Sequence, residues 1–184
     1  MKTILNKSVA TLEVKKSKFY SFLVPFCEFE ESLGDLKKKH PKASHFVTAF
    51  RYLNNQNQIV EGSSDDGEPR GSSGRPTLRV LQGRDLINVG IITIRYFGGI
   101  LLGVGGLVRA YSEVANLAIS KAKIVEYVDV FEWKFEVGYE KVREVEYFIK
   151  KFDILVVDRG FGSFGIRYVI RDNNDKIQKI KEIL

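Results

Sequence analysis

Between Gly62 and Pro76 the chain reads Gly-Ser-Ser-Asp-Asp-Gly-Glu-Pro-Arg-Gly-Ser-Ser-Gly-Arg-Pro, fifteen residues with no apolar side chain apart from proline. Such a segment has nothing of its own to bury. Unstructured loops of this length inside a compact domain are uncommon unless they serve a function. It is therefore expected to lie outside the core. Pro76 suits the first turn of a helix, which Leu78, Leu81 and Gln82 continue. Leu86 to Tyr96 is then nearly all apolar, the pattern of a central strand covered on both faces.

The flanking segments have clear periods. Val9–Val14 and Phe19–Phe26 read as a hairpin around Lys15-Lys16-Ser17-Lys18, although no Asn-Gly type turn joins them. Glu28 to His40 has helical spacing, with Phe29, Leu33 and Leu36 on one face and Pro41 as its stop. His45 to Leu53 is a strand that turns into Ile59-Val60. A helix carries Leu107, Val108, Tyr111, Val114, Ala115, Leu117 and Ala118. From Glu126 onward the character changes. A strand over Asp129–Val137, a helix beginning near Glu140, strands over Ile154–Val157 and Phe164–Ile170 with Gly160 and Gly162 turning between them, and a last helix capped by Asn173-Asn174-Asp175 give the order β-α-β-β-α. That is a ferredoxin-like half-sandwich without its final strand. The expected domains are 1–125 and 126–184.

The chain has 184 residues, 44% of them hydrophobic and 28% charged, which excludes a disordered or collagen-like polymer. A chain of this length buries roughly 70% of its unfolded surface, so it needs no staple. One cysteine, Cys27, and two histidines, His40 and His45, exclude an internal disulfide and multi-cysteine or histidine-rich metal centres. Cys27, near Phe26 and Phe29, is expected to be a buried thiol. No apolar stretch is long enough to cross a bilayer, and no apolar segment of a secretory signal follows Lys2, so a cytoplasmic protein with no membrane partner is expected.

Net charge is +6, with an excess of seven cations in residues 1–125 and of one anion in 126–184. That asymmetry suits an anionic partner such as RNA, or serves solubility alone. Lys15-Lys16-Ser17-Lys18 stands beside Phe19 and Tyr20, and interleaved aromatics suit stacking on single-stranded bases.

Two segments are candidates for chemistry. Asp65, Asp66 and Glu68 can ligate Mg²⁺ or act as a general acid/base pair. Alternatively, the Asp side chains accept from nearby backbone N–H groups in a turn, or Arg70 and Arg75 pair with the acids. The second segment is Arg95-Tyr96-Phe97-Gly98-Gly99 followed by Gly103, Gly105 and Gly106, which leads from the apolar strand into a helix N-terminus. Free N–H groups there can hold a phosphate, with Arg109 adding donors from the first turns. Alternatively, the glycines only permit a tight strand–helix crossing. No Gly-Lys-Ser/Thr closes a Walker loop, and the dinucleotide spacing is absent. His45, six residues before Arg51, is a structural hydrogen-bonder or a partner of the acidic loop.

These two glycine segments, Asp65 to Pro69 with Gly74 and Pro76, and Arg95 to Gly99 with Gly103, Gly105, Gly106, Leu107, Arg109, Ala110 and Tyr111, resemble the IMPACT/YigZ family. The resemblance covers most of residues 1–125. It implies an α+β protein whose first domain resembles domain 2 of ribosomal protein S5. The second would be ferredoxin-like, similar to domain V of elongation factor G and ending before its last strand. Eukaryotic members regulate translation by competing for a co-activator of the amino-acid-starvation kinase, and bacterial members look like nucleic-acid or ribosome binders. Val47 stands where the family often carries cysteine, which argues against a thiol mechanism, and Arg70 replaces a usually small residue.

The expected function is a translation-linked binding protein that engages RNA, the ribosome or an acidic protein partner through its basic first domain. The expected ligand-binding residues are His45, Arg51, Asp65, Asp66, Gly67, Glu68, Pro69, Arg75, Arg95, Tyr96, Phe97, Gly98, Gly99, Gly103, Gly105, Gly106 and Arg109. No cofactor, resident metal or catalytic residue is assigned, and the reading leans away from an enzyme. The alternative is a metal-dependent enzyme acting on a phosphorylated or nucleotide substrate through Asp65, Asp66 and Glu68.

Overall fold

In the computed structural model, which describes residues 1–184, the chain opens with a pairing that no periodicity announces. Strand β1 (Lys2–Ile4) runs antiparallel to a strand over Ile124–Glu126. The expected hairpin follows as β2 (Ser8–Val14) and β3 (Ser17–Pro25), joined by Lys15 and Lys16 alone. Both lysines have positive φ, 47° and 65°. A type I′ turn demands this, and normally recruits Asn-Gly to supply it. A single 3-10 turn (Phe26–Glu28) leads into α1 (Phe29–Lys39). Cys27 sits on that short turn and is exposed, which corrects the buried thiol expected for it.

The remaining elements of this part are β4 (His45–Leu53), β5 (Ile59–Ser64), α2 (Gly74–Gly83), β6 (Val89–Tyr96), α3 (Val104–Ser120) and β7 (Ile124–Glu126). Strands β2-β3-β6-β4-β5 form one antiparallel sheet with β6 at its centre. Successive residues of a strand face opposite sides, so β6 feeds two cores. Val89 and Ile91 pack with Leu81, Leu107, Tyr111 and Val114 beneath α2 and α3. Ile92 and Ile94 pack with Phe29 and Leu36 of α1. The central strand is thus covered on both faces, as its nearly all-apolar run implies.

The polar segment departs from expectation. Strand β5 extends through Ser64, α2 begins at Gly74, and Glu68, Ser72 and Ser73 are buried. Hydrogen bonds within the loop allow its polar groups to leave water, which apolar content alone does not register.

Residues Met1–Tyr127 form one compact unit and Val128–Leu184 another. The second contains β8 (Phe131–Gly138), α4 (Tyr139–Lys151), β9 (Leu155–Phe161), β10 (Gly165–Asp172) and α5 (Asn174–Lys181). Its sheet has the order β8-β10-β9 and three strands, as the β-α-β-β-α pattern implies. Val145 and Ile149 of α4 and Ile177 and Ile180 of α5 pack on Val137, Ile166, Tyr168 and Ile170. Asn173 caps α5 by accepting the Lys176 N–H at 2.9 Å. Gly160, expected in a turn, pairs with Arg167 inside the sheet, and the turn lies at Gly162, whose N–H donates to the Gly165 carbonyl at 2.8 Å. No helix of either unit is long and apolar enough to cross a membrane.

The Lys15–Lys16 turn generates a stability prediction. The double substitution Lys15→Asn with Lys16→Gly fits both residues to their positive φ and is expected to stabilise the protein by about 1 kcal/mol in urea unfolding. An unchanged or lowered midpoint would mean that the turn carries no backbone strain.

Candidate functional site

Register places three functional side chains in one row. His45 of β4 lies opposite Arg95 of β6, which lies opposite Phe19 of β3. All three belong to the face beneath α2 and α3. Phe19 packs in that core, and the Arg95 guanidinium lies 5.5 Å from the ring centroids of both Phe19 and Phe97. An arginine this deeply buried needs a counter-charge, and the polar loop supplies it. Glu68 Oε1 accepts from Arg95 Nη1 at 2.7 Å and from the Tyr111 hydroxyl of α3 at 2.8 Å. Side-chain exposure is only 3% for Glu68 and 6% for Arg95. Burial and the adjacent Glu68 charge push the Tyr111 hydroxyl well above its ordinary pKa, so it stays protonated and donates.

The loop that delivers Glu68 is held from within. Asp65 accepts from the Gly71 N–H at 2.7 Å, the Ser73 N–H at 3.1 Å, the Ser73 hydroxyl at 2.7 Å and the Gly74 N–H at 2.8 Å. Since α2 begins at Gly74, Asp65 also satisfies free donors at that helix start. Burial opposes its ionisation, but the bonds from Gly71, Ser73 and Gly74 outweigh burial and hold the carboxyl below its ordinary value. Asp66 accepts the Phe46 N–H of β4 at 2.6 Å, while its carbonyl meets His45 Nδ1 at 2.8 Å. Asp66 and Gly67 both have positive φ, 45° and 84°. That turn aims the carbonyl at the imidazole.

The three carboxylates therefore do not converge. Asp65 holds its own loop, Asp66 holds β4 and Glu68 holds Arg95. No group of three or more His, Cys, Asp or Glu side chains is placed to hold a metal ion. This geometry gives the metal-dependent alternative no support, and realises instead the turn in which Asp side chains accept from backbone N–H groups. The ion pair is made by Arg95, whereas Arg70 and Arg75 are exposed at the surface.

Other expected residues also separate. Arg51 is buried, with Nε donating to Glu61 Oε1 at 2.6 Å and Nη1 to the Leu86 carbonyl at 2.9 Å, so it ties the sheet together and does not face a partner. Tyr96 lies on the α1 face, with its hydroxyl 2.9 Å from His40 Nδ1. Gly98 backs the β2–β3 turn so closely that an added Cβ would stand 2.1 Å from the Lys16 carbonyl carbon. A tight crossing explains that glycine. Gly99 is exposed, and Gly103 precedes α3 with φ of 73°. Gly105 and Gly106 lie in the first turn of α3, and Arg109 lies one turn further, exposed.

His45, Gly67, Glu68, Pro69 and Arg95 share a pocket of about 410 Å³ with Phe97, Leu101, Leu102, Gly103, Val104 and Leu107. Sequence reasoning missed the leucines and Val104 as lining residues. The signal was present, because Ile100-Leu101-Leu102 is an apolar run outside any helix or strand.

Residues 15–119 match the model of the Impact N-terminal domain. An IMPACT family member of Haemophilus influenzae is 35% identical over 156 residues, spanning 81% of this chain and 74% of that protein. The chain belongs to the IMPACT family. Among its relatives, IMPACT family member YigZ of Escherichia coli is 30% identical over 155 residues, covering 83% of this chain and 76% of that protein. A crystal structure of a hypothetical protein matches 99% of this family member and 88% of its own chain, with a TM-score of 0.70 and 26% identity.

Two predictions test the site's internal electrostatics. Glu68→Ala leaves Arg95 buried without a counter-charge and is expected to cost about 3–5 kcal/mol. Tyr111→Phe removes one hydrogen bond and is expected to cost about 1 kcal/mol, by urea denaturation of both variants. Equal losses would place the stability elsewhere than in the ion pair. For Asp65 the folded carboxyl is depressed, so its stabilisation is complete above the unfolded value of about 3.9 and is lost as pH falls through the lower folded value. The stability gap between the native protein and Asp65→Ala should hold at neutral pH and narrow below about pH 4.

Proposed function

We propose that this protein is a translation-linked RNA-binding module whose contact surface surrounds the β2–β3 turn. The observation that carries this reading is that free cations of the first hairpin border a cluster of aromatic rings. Arg95 and Arg51 are consumed in buried bonds, while Lys15, Lys16, Lys18 and Arg109 are exposed and make no ion pair within 4 Å. Lys16 and Lys18 border a shallow cavity of about 460 Å³ with Tyr20, His40 and Tyr96. The Tyr20 and Tyr96 rings meet edge to face at 6.0 Å, and His40 lies 6.1–6.2 Å from both. Lysines around a cluster of rings combine charge for the backbone with faces for stacked bases. Lys15 and Arg109 share the neighbouring groove with Leu102 and Gly106. Family membership supports the link to translation, since the resemblance implies that role for eukaryotic members.

The test is fluorescence anisotropy with a single-stranded RNA oligomer, and co-sedimentation with ribosomes, at low and physiological salt. Affinity is expected to fall steeply with salt, because phosphate binding releases counterions. Lys16→Ala, Lys18→Ala and Arg109→Ala should each weaken binding and lower the salt slope by roughly 0.7 for a single strand. Binding that ignores salt or these substitutions would overturn the RNA reading. Absence of RNA and ribosome binding at both salts would overturn it in favour of an acidic protein partner.

A further inference from the structure

The pocket beside Leu101 adjoins the groove of Lys15 and Arg109, with Leu102 lining both, but its chemistry is different. Its walls are apolar, from Pro69, Phe97, Leu101, Leu102, Val104 and Leu107. Its floor is polar and incompletely bonded. A carbonyl can only accept, so the 2.8 Å contact to the Asp66 carbonyl places the proton of a neutral His45 ring on Nδ1. His45 Nε2 is then an acceptor, 3.9 Å from Glu68 Oε1, and it finds no donor in the protein. Glu68 Oε2 likewise takes no hydrogen bond, both bonds to that carboxylate ending on Oε1. Arg95 Nε is buried without an acceptor. Of these three groups only Arg95 Nε is fully buried, which is unusual for an unpaired donor. Glu68 Oε2 and His45 Nε2, on a ring 23% exposed, are open to the pocket and free to meet a ligand. At the mouth, Gly103 and Val104 line the pocket where α3 begins, and no side chain caps that helix. Its first N–H groups are free donors at the positive end of a 17-residue helix.

We infer that this pocket binds a free α-amino acid with an apolar side chain. The ammonium group bridges His45 Nε2 and Glu68 Oε2, the carboxylate takes the N–H groups at the start of α3, and the side chain lies against Phe97, Leu101, Leu102 and Leu107. Charge balance favours a zwitterion. Glu68 and Arg95 already neutralise each other, so a ligand carrying only one charge would bring that charge into an apolar site uncompensated. A zwitterion adds no net charge and presents each pole to its complement.

The test is a titration of the full chain with L-leucine and L-phenylalanine, followed by ¹H–¹⁵N NMR and calorimetry. Saturable shifts are expected at the Val104 and Gly105 amides and at the His45 ring. Leucinamide lacks the carboxylate and isocaproate lacks the amine, and each should bind at least about tenfold more weakly than leucine, as loss of a charge-assisted hydrogen bond implies. Leu101 is 81% exposed, so Leu101→Asp keeps the fold while opposing the side-chain contact, and it should also weaken leucine about tenfold. Glu68→Gln, used only if its spectrum stays folded, should abolish the preference for leucine over isocaproate. Absence of shifts with either amino acid at millimolar concentrations overturns the inference. Leucinamide or isocaproate binding as tightly as leucine overturns the zwitterion, and an unaffected Leu101→Asp overturns the pocket.

Discussion

Arg95 stands near the end of the central strand, on the face that α2 and α3 cover, and it can remain there only because Glu68 reaches it. The contact joins a residue of the polar loop to β6, and Tyr111 adds α3 to the same carboxylate oxygen. One oxygen thus joins three parts of the first unit that are distant in sequence. The surroundings follow from this requirement. Asp65 folds the loop so that Glu68 points inward, Asp66 fastens the loop to β4, and Phe19 and Phe97 flank the guanidinium. Buried pairs of this kind are weak contributors to net stability but costly to break on one side. Their main effect is to make one arrangement of loop, strand and helix far better than its alternatives.

This arrangement divides the cations by task. Two arginines that look available in the sequence are internal, bonded to Glu68 and Glu61. Lysines of the first hairpin and Arg109 are among the cations presented outward, as are Arg70 and Arg75. The basic excess of the first unit is therefore less informative than its placement, because a buried, paired arginine adds to formal charge without adding to the surface field.

Much of the architecture is legible in the chain. The nearly all-apolar run from Leu86 marks the central strand, period-two segments mark β2, β3 and β4, and Pro41 marks the end of α1. The second unit follows from its β-α-β-β-α order. What escapes has specific causes. Strands β1 and β7 are three residues each and pair across nearly the whole first unit, too short to leave a period. The hairpin turn uses Lys-Lys, so turn chemistry points away from it. The site is harder still. Arg95 and Glu68 are both visible as polar residues near glycines, but their contact spans 27 residues, and one partner lies in a segment whose composition argues for exposure. Charged residues in a loop count as surface until their partner is known.

The Lys15–Lys16 turn shows how these levels meet. Two non-glycine residues in the left-handed region carry a backbone cost that Asn-Gly would avoid. Gly98 presses against the Lys16 carbonyl from behind, and the Ser17 hydroxyl accepts from both the Gly98 N–H and Arg95 Nη2. The turn is thus over-determined by its neighbours, so the strained conformation persists without favourable residues. What lysine adds at these positions is a cation at the tip of a rigid hairpin. On the RNA reading, a local cost in stability is retained because the position needs charge more than it needs an ideal turn.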